Sequence, residues 1–357
     1  MRVYNFAAGP STLPLNVLKK AQEEFLDFSG TGMSVTEISH RDKAYDAIVK
    51  DAEKLVRELL NVPDDYCVIF VQGGASTQFA AVPLNLMHGG KADYIVTGNF
   101  AKKAWQEGQI YGDAVKIGDS SDKVYTYIPD VDKLNYSENA DYVHITSNNT
   151  IFGSRYSKFP ECKAPIVADM SSEIFSREID VGKFGVIYAG AQKNLAPAGV
   201  TIVIAKRSLI QNPLKICPTM LKWKVQDENG SLYNTPPAFS IYMADLVLND
   251  LKQKGGVKAM QEVNEYKAKL LYDFIDNSSF YTNSVLPEYR SIMNVPFVTG
   301  SAELDAKFIA EAKKAGLVSL KGHRLVGGMR ASIYNAMPVE GVKALIKFMK
   351  KFETENK

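Results

Sequence analysis

Apolar residues near the start of the chain recur with the spacing of helices that bury one face. Between Asp42 and Leu60 they follow one another at intervals of three and four, which predicts one long amphipathic helix. A shorter helix is predicted to begin near Pro14, because proline is favoured in the first helical turn. Its inward-facing residues would be Val17, Leu18, Ala21 and Phe25.

After Pro63 the pattern changes to short, continuous apolar runs. The runs are YCVIFVQGG, ADYIVTGN, DYVHITSNN, APIVADMSS, FGVIYAGAQ and GVTIVIAK. Continuous apolar strands that alternate with helical stretches indicate an α/β fold with a mainly parallel sheet covered on both faces. Such sheets bind ligands beyond the carboxyl ends of their strands, so the residues that follow each run are candidates for a site.

The C-terminal part of the chain mixes strands and helices differently. A long helical stretch starts near Val257, and RSIMNVPFVTG and MRASIYNAM read as strands around a helical segment. A final amphipathic helix begins near Pro338. The predicted division is a large domain of residues 16–256 and a smaller α+β domain formed by residues 1–15 and 257–357.

Two glycines separate a strand from a helix in VQGGASTQF. Free N–H groups at the helix start, around Ala75, and the hydroxyl of Ser76 could bind an anion such as a phosphate. A glycine turn with a Ser or Thr cap is the commoner outcome of such a sequence. The run matches neither a Walker A loop nor a dinucleotide fingerprint.

Three other strand ends carry candidate chemistry. Asp169 ends PIVAD, where a desolvated carboxylate would need a cationic partner unless it only forms a turn. Lys193 lies among small residues in GAQKNLAPAG, where burial would lower its pKa and leave neutral amine, whereas a lysine that reaches solvent would stay charged. Thr150, in SNNTIFG, could contact a phenolic oxygen or a phosphate, or belong to a turn.

These strand ends together match the needs of pyridoxal phosphate. The cofactor requires a phosphate site, a carboxylate beside its ring nitrogen and a lysine that forms a Schiff base with its aldehyde. The carboxylate would keep the pyridine nitrogen protonated, so that the ring can accept electrons. The sequence therefore predicts a pyridoxal 5'-phosphate enzyme.

Distinctive segments also carry a resemblance to a known family. They are NFAAGPSTLP, SVTEISHRDKAY, QGGASTQFAAVPLNL, GVIYAGAQKNLAPAGVTIVI, NTPPAFSIY, NSSFY, RSIMNVPF and KGHRLVGGMRASIYNAMP. Over nearly its whole length the chain resembles the phosphoserine aminotransferases, which are fold-type I enzymes. The resemblance implies a mainly parallel seven-stranded sheet in the large domain and a homodimer with active sites at the subunit interface.

The resemblance also implies roles for the residues of the cofactor site. Lys193 would carry the cofactor, Asp169 would pair with its pyridinium nitrogen, and Thr150 would bond its phenolic oxygen. The phosphate ligands would be Ala75, Ser76, Gln192 and, from the neighbouring subunit, Asn234 and Thr235. By sequence alone, the last two could equally form a turn before two prolines.

One cofactor contact departs from the common pattern of the family. Phe100 stands where many relatives have a tryptophan that stacks on the cofactor ring, and phenylalanine offers a smaller face without an indole N–H. Trp105 is the alternative, but its place on the following helix favours Phe100. Ala8 stands where some relatives have serine.

Paired histidines and arginines suggest a substrate with two anionic groups. Arginine binds carboxylates and phosphates through two parallel hydrogen bonds. Arg330 would hold the α-carboxylate. The pocket for the distal phosphate would be formed by His323, Arg324 and, from the partner subunit, His40 and Arg41. Arg324 could instead be a surface cation beside a glycine-rich turn.

The implied reaction is transamination between L-glutamate and 3-phosphohydroxypyruvate, which gives 2-oxoglutarate and O-phospho-L-serine in serine biosynthesis. Some bacterial relatives also form 4-phosphohydroxythreonine in pyridoxine biosynthesis. Alternatives with the same fold are an alanine–glyoxylate aminotransferase and a cysteine desulfurase, although no cysteine stands in an obvious mobile loop. A binding protein that has lost catalysis is disfavoured because Lys193, Asp169 and Arg330 are all present.

Composition narrows the choice of partners and compartment. A net charge of +2 gives no reason to expect nucleic acid or an anionic membrane as a partner. No apolar run is long enough to cross a bilayer, and the N-terminus lacks the apolar core of a signal peptide. The three cysteines show neither metal-ligand spacing nor a disulfide framework. We expect a cytoplasmic enzyme that binds small-molecule substrates and no metal.

Overall fold

Eleven strands are present in residues 2–357, which are the part of the chain that the computed structural model describes. They are β1 (Tyr4–Asn5), β2 (Tyr66–Val71), β3 (Lys91–Val96), β4 (Asp113–Asp119), β5 (Val143–Thr146), β6 (Ile166–Asp169), β7 (Val186–Gly190), β8 (Thr201–Lys206), β9 (Asn294–Phe297), β10 (Leu317–Val318) and β11 (Met329–Ser332). Strands β2 to β8 form one seven-stranded sheet in the order β2-β8-β7-β6-β5-β3-β4.

Nine α-helices occur in the same described residues. They are α1 (Leu15–Glu23), α2 (Lys43–Leu60), α3 (Gly74–Leu86), α4 (Asn99–Gly108), α5 (Trp223–Glu228), α6 (Ala238–Gln253), α7 (Gly256–Asp276), α8 (Ala302–Lys314) and α9 (Val339–Asn356). The predicted helix from Asp42 is confirmed, since the Asp42 side chain caps α2 by accepting a hydrogen bond from the Ala44 N–H at 2.8 Å. The prediction that Phe25 faces inward is wrong, because α1 ends at Glu23 and Phe25 is half exposed.

The polarity of the sheet brings six strand ends to one edge. Strand β8 runs antiparallel to its neighbours β2 and β7, whereas the other pairs in the sheet are parallel. The mainly parallel seven-stranded sheet of the sequence prediction is therefore confirmed. The carboxyl ends of β2, β3, β4, β5, β6 and β7 lie at the same edge, where α/β sheets bind ligands.

Helices cover both faces of this sheet, which explains why its strands are apolar throughout. One face packs with α2 and α6, and the other packs with α3, α4 and α5. Strands β2, β5, β6 and β7 are buried along their whole length. Parallel sheets with two covered faces require such continuous apolar runs.

A second hydrophobic core surrounds the antiparallel pair β9 and β11. It includes residues of α8 and α9 together with Phe6, and β1 joins it through parallel pairing with β10. Helix α7 touches both cores: Val257 and Met260 near its start pack on the first, whereas Leu271 and Ile275 near its end pack on the second. We keep the division at residue 257 as a proposal, with α7 as the connecting element.

Buried hydrogen bonds join the two cores close to Lys193. The Asn335 N–H donates to Asn194 Oδ1 at 2.9 Å, and Asn264 Nδ2 donates to Asn335 Oδ1 at 2.8 Å. Lys267 is fully buried, and its Nζ donates to three backbone carbonyls, those of Ile333, Tyr334 and Met337. The Asn335–Asn194 bond joins the chain that follows β11 to the loop that carries Lys193, and the bonds from Asn264 and Lys267 join the same chain to α7.

Within residues 2–357, no helix combines the length and the apolar character that a transmembrane span needs.

Candidate active site

Loops from several strands meet around the amine of Lys193. Lys193 follows β7, and its Nζ donates a hydrogen bond to Thr150 Oγ1 at 2.7 Å, on the loop that follows β5. The same Nζ lies 4.7 Å from the ring centroid of Phe100, in the first turn of α4. The structure thus brings together three of the residues that the sequence singled out.

The surroundings of Lys193 lower the pKa of its amine. Burial is the largest effect and lowers the pKa of the amine to about 8 from its ordinary value of 10.5. The charge of Arg330 acts in the same direction, and the carboxylate of Asp169 opposes both. At neutral pH a useful fraction of the amine is therefore unprotonated and nucleophilic.

The N-terminal segment packs directly on Lys193. The Ser11 N–H donates to the Gln192 carbonyl at 3.0 Å, and the Ser11 hydroxyl donates to the Lys193 carbonyl. A Cβ on Gly9, whose φ is +145°, would lie 3.3 Å from Lys193 Cγ, so this close approach favours glycine. Sequence reasoning passed over Gly9 and Ser11, although the quoted segment NFAAGPSTLP contains both.

Asp169 is buried at the end of β6 with one carboxylate oxygen held in place. Its Oδ1 accepts hydrogen bonds from the Ser171 N–H at 2.9 Å and the Ser171 hydroxyl at 2.6 Å. The same hydroxyl accepts from the Gly190 N–H at 3.0 Å, which ties the ends of β6 and β7 together. Asp169 therefore does form the turn that the sequence allowed, and no hydrogen bond within residues 2–357 engages its Oδ2.

Helix α3 starts with unused backbone donors. Its N-cap is Gly73, at φ +94°, and no side chain caps it, so the alternative of a Ser or Thr cap is wrong. The N–H groups of Gly74, Ala75 and Ser76 find no acceptor within residues 2–357. A Cβ on Gly190 would lie 2.9 Å from Gln192 Oε1 and 3.4 Å from Ala75 N, which places the Gln192 carboxamide beside these donors. The arrangement suits an anion.

Asn234 and Thr235 lie on the loop between α5 and α6, next to the same helix start. Gln72 Nε2 donates to the Thr235 carbonyl at 3.2 Å, and Asn234 lines a cavity together with Gln72 and Gly73. Within one chain, neither residue forms a hydrogen bond with Lys193 or with any other ligand predicted for the cofactor.

Arg330, on β11, presents a guanidinium without a counterion. Its Nη1 donates to the Thr150 carbonyl at 3.4 Å, and its buried Nε has no hydrogen-bond partner. Within residues 2–357 no carboxylate forms an ion pair with it. Burial lowers the pKa of this guanidinium. An unpaired arginine beside Lys193 is suited to bind a carboxylate in two parallel hydrogen bonds.

His323 and Arg324 precede β11 and share the neighbourhood of Arg330. Burial lowers the pKa of His323, and the charges of Arg330, Arg324 and Lys103 lower it further. Arg324 is exposed and forms no ion pair within residues 2–357. Arg330, Arg324 and Lys103 therefore lie within electrostatic range of the His323 ring, and Lys103 is a cation that the sequence analysis did not identify.

His40 and Arg41 lie on the loop that leads into α2. Neither forms a hydrogen bond or an ion pair with Lys193, Arg330 or His323 in this chain. Arg41 is exposed, and the buried Nε2 of His40 has no partner within residues 2–357. A single chain therefore leaves this predicted pair outside the site.

The structure separates Phe100 from Trp105. Trp105 Nε1 donates to the Ala114 carbonyl at 2.9 Å, and Lys116 Nζ lies 4.5 Å from its ring. The indole is thus occupied on the other side of α4, whereas the Phe100 ring faces Lys193. This geometry supports Phe100 as the ring that would stack on a cofactor.

Comparison with known proteins agrees with the architecture. Residues 3–345 match the family model for class-V aminotransferases. The chain is 56% identical to a phosphoserine aminotransferase of Bacillus cereus (strain ATCC 14579), over 100% of this chain and 99% of that protein. A solved phosphoserine aminotransferase from Bacillus circulans subsp. alkalophilus is 46% identical, has a TM-score of 0.98 and covers 100% of this chain and 99% of its own. A pyridoxal-phosphate-bound phosphoserine aminotransferase from Trichomonas vaginalis is 39% identical, with a TM-score of 0.94 over 98% of this chain and 100% of its own.

The matched family model and the fold thus define a class-V aminotransferase. Within that class, the chain belongs to the phosphoserine aminotransferase family. Its cofactor is pyridoxal 5'-phosphate, and the residues present fit that group. The start of α3 offers free N–H donors for a phosphate, Asp169 retains an unengaged oxygen, and Lys193 supplies a partly neutral amine.

The lowered pKa of Lys193 predicts how the cofactor-free protein takes up its cofactor. Because only the neutral amine attacks the aldehyde, the rate constant of covalent uptake should rise with pH and level off above about pH 9. Stopped-flow absorbance at saturating cofactor would measure this rate constant. The variant Thr150→Val, which lacks the hydroxyl that accepts the hydrogen bond from Lys193 Nζ, is measured in parallel. A rate that keeps rising to pH 10.5, the ordinary lysine value, would contradict the shift.

Proposed function

We propose that the chain transfers the amino group of L-glutamate to 3-phosphohydroxypyruvate, forming 2-oxoglutarate and O-phospho-L-serine. One observation carries this proposal: the partly neutral amine of Lys193 and the unpaired guanidinium of Arg330 both contact Thr150, at 2.7 and 3.4 Å. A nucleophilic amine and a carboxylate site in one pocket are what an amino-acid transaminase needs. The neighbouring His323 and Arg324 favour a substrate with a second anionic group.

The cofactor would be held by groups that have no other partner. Pyridoxal phosphate, when bound, withdraws electrons from the substrate's Cα and so acidifies its hydrogen. The N–H groups at Ala75 and Ser76 would bind the phosphate, with the Gln192 carboxamide beside them. The Asp169 carboxylate would face the ring nitrogen, oriented by its two bonds to Ser171.

Lys193 would serve as the acid and base of the reaction. A group with a pKa of about 8 can accept and return a proton near neutral pH, because neither form is strongly favoured. The Thr150 hydroxyl accepts from Lys193 Nζ and would orient the amine, while Phe100 covers it on one side. Both contacts limit the positions that the amine can occupy during proton transfer.

Substrate recognition would depend on charge. Arg330 would bind the α-carboxylate through its Nε and a terminal nitrogen, since Nε is buried without a partner. His323 and Arg324 would bind the distal phosphate, or the side-chain carboxylate of glutamate in the other half-reaction. Two substrates that share one α-carboxylate site and one distal site can alternate on the same enzyme.

Buried thiols disfavour the desulfurase alternative. A desulfurase needs a reactive thiolate, but burial raises the pKa of all three cysteines, to about 12 for Cys67.

A coupled assay tests the choice among aminotransferases: the holoenzyme is given glutamate with 3-phosphohydroxypyruvate, and separately alanine with glyoxylate. We expect turnover with the first pair to exceed that with the second by at least about a hundredfold, because the second pair lacks a distal anion for the cations. Equal rates with both pairs would refute the assignment.

We further propose a homodimer, located in the cytoplasm, with each active site completed by the neighbouring subunit. Two predicted site pairs support it: His40 with Arg41, and Asn234 with Thr235, none of which contacts Lys193 within one chain. The second pair would meet the cofactor phosphate of the neighbouring subunit, and the first would meet its substrate.

Mixed dimers test this shared site. Lys193→Ala and Arg41→Ala homodimers should each be nearly inactive, but subunits exchanged between them should regain up to about a quarter of wild-type activity. In a mixed dimer one site lacks both groups and the other has neither defect, and half of the dimers are mixed. Mixing that restores no activity, although light scattering shows exchanged dimers, would place Arg41 in its own subunit's site.

A further inference from the structure

Helix α4 presents a second lysine at the edge of the active site. The helix starts directly after Gly98, at the carboxyl end of β3, and its Phe100 ring faces Lys193 Nζ at 4.7 Å. Residues three positions apart lie on the same side of a helix, so Lys103 lies one turn beyond Phe100 on the side that faces the site. Lys102 lies about 200° around the helix from Phe100 and therefore on the far side.

Lys103 is one of three cations that act on His323, together with Arg324 and Arg330. Its charge is among those that lower the pKa of His323, so its ammonium group lies within electrostatic range of that ring. Lys102, the preceding residue in the chain, does not contribute to that shift. Both lysines are exposed and have the same chemistry, but they occupy different sides of α4.

The cluster lacks an internal counterion. Within residues 2–357, no carboxylate forms an ion pair with Lys103, Arg324 or Arg330, whereas cations on other helices such as Lys20, Arg57 and Lys269 have a carboxylate one turn away. Unpaired like charges repel one another, and an anion in their midst would relieve the repulsion. The cluster is thus arranged for a ligand of high negative charge.

We propose that Lys103 is a substrate-binding residue that contacts the distal phosphate group together with His323 and Arg324. The inference rests on the proposed function, since it assigns this lysine to the phosphate of that substrate. A phosphate dianion interacts with a lysine more strongly than a single carboxylate does, because its charge is nearly doubled. Lys103 therefore favours the phosphorylated substrate over glutamate.

Steady-state kinetics of the holoenzyme can isolate this contribution. Four proteins are compared: wild type, Lys103→Ala, Lys103→Arg and the matched control Lys102→Ala. For each, kcat and KM are measured with O-phosphoserine plus 2-oxoglutarate, and with glutamate plus 3-phosphohydroxypyruvate. The α-carboxylate and amino group are common to both amino donors, so their comparison reports on the distal group.

The expected result is a change in KM without a change in kcat. Lys103→Ala should raise the KM for O-phosphoserine about three- to tenfold and the KM for glutamate less than about twofold, as befits a partly exposed charge pair. Lys103→Arg should restore the wild-type KM for O-phosphoserine, since it keeps the charge. Lys102→Ala should match wild type with both donors.

Two outcomes would overturn the inference. If Lys102→Ala and Lys103→Ala raise the KM for O-phosphoserine equally, the effect is a general one of net charge. If Lys103→Ala leaves that KM unchanged, or raises the KM values for O-phosphoserine and glutamate by the same factor, the lysine does not contact the distal phosphate. Failure of the proposed function would look different, because wild type itself would then not turn over O-phosphoserine.

Discussion

Replacing Lys193 with alanine is expected to lower turnover by about two to four orders of magnitude, the usual contribution of a positioned acid and base. The variant loses both the amine that bonds to the cofactor and the group that moves the substrate proton. Fold stability should change little, since the amine is held by one side-chain hydrogen bond, to Thr150. Turnover is measured with glutamate and 3-phosphohydroxypyruvate, and borohydride reduction followed by mass spectrometry detects whether cofactor is attached covalently.

Lys206 provides a matched control for this experiment. It also stands at the end of a sheet strand, β8, but it is exposed and lies 3.6 Å from Asp65. Lys206→Ala should therefore retain wild-type turnover and covalent cofactor. Turnover close to wild type in Lys193→Ala, or attachment of the cofactor at another lysine, would show that Lys193 is not the base.

Replacing Arg330 with alanine is expected to have the second-largest effect. The guanidinium has a buried Nε without a partner and no ion pair within residues 2–357, so a bound carboxylate would be its main counterion. Removing one member of such a desolvated charge pair costs about 2–5 kcal/mol. That range corresponds to roughly a 30- to 5,000-fold loss of kcat/KM, and we expect it with both amino donors because they share the α-carboxylate.

The conservative variant separates the charge of Arg330 from its shape. Arg330→Lys keeps a cation but loses the planar fork, so it should recover only part of the activity. Cofactor absorbance should be the same in both variants, because Arg330 is not a cofactor ligand in this proposal. A loss that affects O-phosphoserine but spares glutamate would instead place Arg330 at the distal phosphate.

Much of the fold could be read from local patterns. The continuous apolar runs predicted a two-sided parallel sheet, and the periodic apolar positions between Asp42 and Leu60 predicted α2 almost to the residue. The site at the carboxyl ends of the strands followed from the same pattern, since sheet polarity brings those ends to one edge. The exception was Phe25, where the end of α1 at Glu23 took the residue out of the helix.

Local patterns could not decide between alternatives that depend on distant partners. Whether Phe100 or Trp105 faces Lys193 depends on the rotation of α4 against β3 and β4. The Trp105 indole donates a hydrogen bond to the Ala114 carbonyl on β4, whereas Phe100 faces Lys193. Whether a side chain caps α3 depends on the backbone at Gly73. The Thr77 hydroxyl donates to the Gly73 carbonyl at 2.9 Å and does not cap a free N–H group. The close approach of Gly9 to Lys193 joins segments far apart in sequence.

The sequence by itself determined the elements of this protein and the chemical groups at the strand ends, because helix periodicity, apolar strands and turn residues act over a few neighbours. Only the tertiary structure decided the state of those groups. The pKa of Lys193 near 8 comes from burial and from the charges of Asp169 and Arg330, which belong to other strands. The effect of the Lys103 charge on His323 likewise depends on where the fold places α4 and the loop before β11. Electrostatics and burial act through space, so they become visible only when the chain has folded.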